Sequence, residues 1–245
     1  MSAHRFHVPA AAPGARVTLP EHAAHHAREV LRLRAGAAVH VFDGSGHEWH
    51  GVLEEVSRRN VSARLLQAVE TRPESPLHLT LAVAALKGDR LEFVIQKATE
   101  LGVSEIWPVV TFRTDAAARP ALNGSRSERW ERVASGAAEQ CGRATVPHMA
   151  PTTTLEGLVE RPFDGMRAVL LETPGHRSLS SLAVDPASPL LLLVGPAGGF
   201  EPSEVTALHA AGFAAASLGP RILRAETAAV AAVTIAQAIW GDLGR

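Results

Sequence analysis

The sequence holds one cysteine, Cys141, so no intramolecular disulfide can form. It has no apolar run near the roughly 18 residues that a membrane span requires. Its opening stretch, MSAHRFHVPAAAPGARV, lacks the apolar core of a secretory signal. Together these absences set the expectation of a cytoplasmic protein. Lysine is scarce as well: Lys87 and Lys97 are the only two among 24 basic residues. A formal net charge of -1 excludes an indiscriminate polyanion binder, so any nucleic-acid surface would be a local patch. The abundance of arginine suits bidentate phosphate contacts, and a coding bias explains it equally well.

Several chemical signatures are also missing. A phosphate-binding P-loop needs Gly-Lys followed by Ser or Thr, and the dinucleotide fingerprint needs GxGxxG; neither is present. No serine sits on a nucleophile elbow, and Cys141 lacks a close histidine, so it reads as a packing residue. Eight of the 12 histidines fall in residues 1–70, with His22, His25 and His26 the most crowded. No cysteine or ordered carboxylate accompanies them, which favours surface or capping histidines over a metal site.

What is present reads as two units in 245 residues. Residues 1–70 carry a partly helical stretch, His22 to Leu33, then strand patterns at Ala38 to Phe42, Val52 to Val56 and Val61 to Leu66, which a compact β-barrel accommodates. Residues 71–76, with Pro73 and Pro76, make the best linker. From residue 77 to 245 strands alternate with helices. Strands are expected at Leu79 to Leu86, Glu105 to Val110, Ala168 to Glu172, Leu190 to Val194 and Ala215 to Leu218. A helical stripe runs through Leu91, Val94, Ile95, Ala98 and Leu101, with Asp89 as N-cap and Gly102 as stop. Ser125 with Glu128 reads as a capping box for a helix whose inner face is Trp130, Val133, Ala134 and Ala137. The last helix, Glu226 to Trp240, is apolar almost all round, and so is buried in the core or against a second copy of the chain. Such alternation implies a parallel α/β sheet, and local rules alone give an open doubly wound one.

The most informative stretch is Leu190 to Thr227. There an apolar strand breaks into GPAGG at Gly195 to Gly199, a helix follows Pro202 and ends at Gly212, and a second strand breaks at Gly219 and Pro220. Glycine loops at the carboxyl ends of two strands describe a small-molecule site. With no lysine nearby, backbone groups there suit an adenine edge or a ribose better than phosphate. Four arginines lie on loops, Arg113, Arg143, Arg221 and Arg224. Each alone is more often a solvated charge, but loops at strand ends carry function.

GPAGGFEPSE followed by LGPRILRAETA, preceded by RLEFVIQKATELGV, TFRTDA and RWERVASGAAEQCGR, resembles the RsmE family of SPOUT-superfamily methyltransferases. HHAREVLRLRAG with VFDGSG is similar to that family's PUA-like RNA-binding domain. The likeness implies a small β-barrel PUA-like domain followed by an α/β domain with a carboxyl-terminal trefoil knot, acting as a homodimer. It implies methyl transfer from S-adenosylmethionine to N3 of one uridine in small-subunit (16S) ribosomal RNA, with no metal. Carried over, it places the cofactor on Leu171 and Glu172, on Gly195, Pro196, Gly198 and Gly199, on Leu218, Gly219, Ile222 and Leu223, and on Thr227 and Ala228. Arg224 is the expected catalytic residue, holding negative charge on the base; its rival role is a salt bridge to Glu226. Arg5, Arg32, Arg34, Arg113 and Arg143 are the expected RNA contacts. The family writes GPEGG where this chain has Ala197, and Glu201 is the nearest acidic substitute. That departure leaves open a non-catalytic RNA-binding protein that keeps the fold, and the glycine loop leaves open a nucleotide-using enzyme.

Overall fold

The computed structural model describes residues 4–9, 11–118, 126–173 and 175–244. Its backbone divides into two compact units, one of residues 1–74 with 135–146, the other of residues 75–134 with 147–245.

The first unit is a five-stranded sheet in the order β1-β3-β4-β5-β2. Strands β1 (His4–His7) and β3 (Ala38–Phe42) run parallel, while β2 (Arg16–Thr18), β4 (Glu48–Val56) and β5 (Val61–Val69) pair antiparallel. One apolar cluster takes Phe6 from β1, Val17 from β2, Val39 and Val41 from β3, Leu53 from β4 and Leu65 from β5, so the sheet curls into a small barrel around it. Two register shifts between β4 and β5, at His50/Gly51 and Leu53/Glu55, help it curl. Gly51 is needed there: a Cβ would lie 2.9 Å from the Arg64 carbonyl oxygen. The stretch expected to be helical from His22 to Leu33 is shorter and less regular. It is α1 (Glu21–His25), a π-helical turn (His26–Val30), and then Arg32 at φ 53°, a left-handed conformation otherwise confined to glycine among the described residues.

The second unit is a parallel sheet ordered β12-β10-β11-β6-β7-β8. These are β6 (Leu79–Ala84), β7 (Glu105–Val110), β8 (His148–Met149), β10 (Met166–Leu170), β11 (Leu190–Val194) and β12 (Ala214–Ala216), with β9 (Thr153–Thr154) pairing on β7. Every residue of β6 and β11 is buried, which is why the central strands read as unbroken apolar runs. Side chains of alternate parity serve opposite faces. Leu191, Leu193, Ala82, Val109 and Val169 pack with Leu155 and Leu158 of α4 (Leu155–Glu160) and Leu208 of α5 (Pro202–Ala210). The other helices are α2 (Arg90–Glu100) and α6 (Ala225–Ile239), with α6 packing on α2, β6 and β11; α3 (Ser127–Cys141) starts in this unit, and its residues from 135 on belong to the first. Asp89 does precede α2, but its side chain makes no capping hydrogen bond. Ser125, the expected cap of α3, lies outside the described residues.

The carboxyl-terminal backbone is tied. Residues leaving β12 run beside the loop leaving β10: Ser217 N–H donates to the Arg177 carbonyl and Leu179 N–H to the Ser217 carbonyl, both at 2.9 Å. The chain turns at Gly219, where φ is 110°, and α6 continues against the 3-10 turn Leu179–Ser181 in that same loop. This is the trefoil knot that the resemblance implied. The open doubly wound sheet expected from local rules is therefore corrected, because those rules treat knots as absent.

Candidate methyl-donor pocket

Strands β10, β11 and β12 are neighbours, so the loops at their carboxyl ends meet on one edge of the sheet. Between them lies a cavity of about 540 Å³, within the range of small-molecule sites. After β10 it is lined by Leu171, Glu172, Thr173 and His176; after β11 by Gly195, Pro196, Ala197, Gly199 and Phe200; after β12 by Leu218, Gly219, Arg221 and Leu223. The first turn of α6 contributes Ala225 and Ala228, and Arg113 enters from the loop after β7. Observed β10 ends at Leu170, so Leu171 and Glu172 belong to the loop rather than the strand.

Of the expected cofactor residues, the cavity brings together Leu171, Glu172, Gly195, Pro196, Gly199, Leu218, Gly219, Leu223 and Ala228. It is not lined by Gly198, Ile222 or Thr227. Gly198 instead presents its carbonyl to Arg113, Ile222 is 78% exposed, and Thr227 is exposed in the first turn of α6. Arg221, within the loop Leu218 to Leu223 that the resemblance assigns to the cofactor, lines the cavity, as do Thr173, His176 and Phe200, which it did not name. Phe200 is legible from its place directly after the glycine loop.

The glycine loop owes its shape to its own backbone. Gly199 N–H donates to the Pro196 carbonyl at 2.9 Å and Gly199 adopts φ 67°. Gly195 leaves room for the Phe200 ring, whose Cε2 would lie 2.7 Å from an added Cβ. A ligand can therefore come close to main-chain donors and acceptors, beside an apolar floor of Leu171, Leu218 and Leu223. The Glu172 carboxylate sits beside Gly199 and is the acidic group of the lining. Apolar walls for a ring, exposed backbone for its edge and a carboxylate for hydroxyls or an ammonium group fit S-adenosylmethionine.

Arg224 holds the N-cap position of α6, exposed and with no side-chain ion pair among the described residues. Its rival partner, Glu226, faces Arg90 instead, at 3.8 Å. Arg32 and Arg34 are exposed. Arg5 and Arg143 are largely buried and ion-paired. Each has an 11% exposed side chain; Arg5 grips Glu48 at 2.7 Å and the Ala138 and Arg143 carbonyls at 3.0 Å, while Arg143 pairs with Glu74 at 2.6 Å. Arg113 bonds the Gly198 carbonyl and Glu201. Among the described residues no group of three or more His, Cys, Asp or Glu side chains is placed to hold a metal ion. No helix among them is long and apolar enough to cross a membrane.

Comparison with known proteins agrees with this geometry. Residues 73–237 match the family described as RNA methyltransferase domain, and residues 19–66 match the RNA methyltransferase PUA domain. The chain is 36% identical to ribosomal RNA small subunit methyltransferase E of Synechocystis over 89% of its own length and 72% of that protein. It is 31% identical to the Bacillus subtilis protein of the same name, over 86% and 85%. Among solved structures, a methyltransferase from Legionella pneumophila in complex with S-adenosylmethionine superposes with a TM-score of 0.93 at 33% identity, covering 99% of this chain and all of that one. Ribosomal RNA small subunit methyltransferase E of Neisseria gonorrhoeae bound to S-adenosylmethionine gives 0.87 at 34%, with the same coverage of this chain and of its own. With a fold, a knotted pocket and relatives of one kind, this chain belongs to the ribosomal RNA small subunit methyltransferase E family.

Proposed function

We propose that the protein transfers the methyl group of S-adenosylmethionine to N3 of a uridine in small-subunit ribosomal RNA. The observation that carries this reading is the cavity at the ends of β10, β11 and β12, walled by a glycine loop and lined by the exposed Arg221, with Arg224 exposed in the chain between the lining residues Leu223 and Ala225. When bound, S-adenosylmethionine supplies an already activated methyl group, so the protein's task is alignment and charge stabilisation. The pocket residues named above hold the donor, and the backbone of Gly195 and Gly199 reads its edges. Arg224 holds the anionic uracil, since a guanidinium stays protonated while charge spreads over O2 and O4 as N3 loses its proton. That proton leaves to solvent more easily because the arginine stabilises the conjugate base.

The domain division we propose is a PUA-like RNA-binding domain over 1–70, a linker over 71–76 and the methyltransferase domain over 77–245. Arg32 and Arg34 are its RNA contacts, for their exposure fits phosphate binding, which sets register rather than sequence. The target uridine has to be unpaired or extruded to reach the cavity. Two copies associate through the knotted domain, a role that suits the partly exposed apolar face of α6 around Val230, Ile235 and Ile239. The protein acts in the cytoplasm. The decisive experiment maps N3-methyluridine in small-subunit ribosomal RNA from cells with and without the protein. One uridine should lose its methyl group in the deletion and regain it on complementation; an unchanged map overturns the reading.

A further inference from the structure

The glycine loop follows β11 and the Thr111–Thr114 turn follows β7, and these strands are not neighbours, since β6 lies between them. Three side chains nevertheless join the two segments. The Arg113 guanidinium donates to the Gly198 carbonyl at 2.9 Å and meets the Glu201 carboxylate at 2.5 Å. The Glu204 carboxylate, buried at the start of α5, accepts from Phe112 N–H at 2.7 Å through one oxygen and from Glu201 N–H at 2.8 Å through the other. The turn itself is closed by Thr111 N–H donating to Thr114 Oγ1 at 2.9 Å.

We infer that Arg113 is a positioning residue for the methyl donor, holding the Gly195–Gly199 backbone open to the cavity, and that Glu201 keeps it in that pose. The inference rests on the reading of the cavity given above and assigns Arg113 a different duty from the RNA contact expected of it. The loop consists of two glycines, an alanine, a proline and a further glycine, so it has almost no side chains of its own with which to resist rearrangement. One internal bond, Gly199 N–H to the Pro196 carbonyl, fixes its inner side. The Arg113 bond fixes the outer side at Gly198, the one glycine of the loop that does not line the cavity. The arginine stem lies flat on this glycine, its Cβ and Cδ at 3.5 Å from where a Gly198 Cβ would be. A guanidinium fork can serve a carbonyl and a carboxylate at once, which an ammonium point charge does less well. Because residue 197 is alanine, the loop itself offers no carboxylate, and Glu201 is the acidic group that Arg113 meets.

The test is calorimetric titration of S-adenosylmethionine into the full-length wild type and into Arg113→Ala, Arg113→Lys, Glu201→Gln and the double variant Arg113→Ala/Glu201→Gln. Thermal melts confirm that each is folded, and RNA binding is measured separately. Arg113→Ala should raise the donor Kd about tenfold or more, as expected for a lost charged hydrogen bond. Arg113→Lys should fall between it and the wild type. The double variant should be no weaker than Arg113→Ala alone, because both changes break one unit. In steady state the KM for the donor should rise more than kcat falls. A wild-type donor Kd in Arg113→Ala, with RNA affinity reduced, overturns the inference and restores Arg113 as an RNA contact. Additive losses in the double variant also overturn it. A wild type that binds no S-adenosylmethionine overturns the reading of the cavity, and the inference with it. Should Arg113→Ala fail to fold, Arg113→Lys and Glu201→Gln decide the matter by the same criteria.

Discussion

The core of the barrel unit and the pocket loops of the knotted unit put arginine to opposite uses. In the barrel unit Arg5 is sunk among oxygen acceptors, with both Glu48 oxygens and three main-chain carbonyls around its fork, and the Phe42 ring 4.7 Å from its guanidinium carbon. In the knotted unit Arg221 and Arg224 stand exposed where the chain leaves β12, and Arg221 lines a cavity there. A buried guanidinium whose donors are spent on the protein is a structural part; an exposed one at a pocket's edge has its donors left for a ligand. The difference shows that loop or terminal position in the sequence does not assign an arginine its role; its partners do.

The comparison can be broken from the barrel side by Arg5→Ala. This leaves Glu48, only 7% exposed, without its main partner, so stability should drop by about 3 kcal/mol, the scale for an uncompensated buried charge. Denaturant melts of the variant measure it, and a loss below about 1 kcal/mol would show that Arg5 is replaceable and free for RNA. From the pocket side, Arg224→Ala should leave stability and donor binding intact while slowing methylation at least about tenfold, or about 1.4 kcal/mol in the barrier. Single-turnover assays at saturating donor check this, and full turnover removes Arg224 from the reaction.

The smallest effect is on pH dependence, and it belongs to the barrel unit. Burial alone would raise the Glu48 carboxyl, but hydrogen bonds from Arg5 and His40 outweigh it and hold the group below its usual 4.5. The stability this contributes is complete above about 4.5 and is lost as pH falls through the lower folded value. Burial pushes His7 below 6.5, so the fold prefers its neutral ring and begins to lose stability as pH falls under 6.5. Glu139, raised above 4.5 by burial, works the other way: its cost to the fold is relieved on acidification. His7 therefore predicts melting temperatures that decline from about pH 6.5 downward and Glu48 a further decline below about pH 4.5, with His7→Gln removing the first part.

Much of the sheet was legible because β6 and β11 are buried on both faces and therefore read as continuous apolar runs. Glycine punctuation made the loops after β11 and β12 equally plain. Strands β1 and β2 were missed: they are three or four residues long at the ends of the barrel sheet, with polar and apolar residues too few to show a period. The knot left no local trace at all, since threading is a relation between residues 171–189 and the chain after 217, and only the family likeness carried it. Partners of charges were illegible for the same reason. Arg5 and Glu48 are 43 residues apart, and nothing near either one announces the other.

Gln237 gives the final turns of α6 a consequence of their own. Buried completely, its amide nitrogen donates to the Gly102 carbonyl at 3.0 Å and its oxygen accepts from Ser75 Oγ at 2.6 Å. One side chain thus rivets the far end of the helix to the start of the unit and to the stop of α2. Cutting α6 back far enough to remove Gln237 would unfasten that rivet and strand two polar groups, the Ser75 hydroxyl and the Gly102 carbonyl, so an affinity tag should not replace the last turn of the helix.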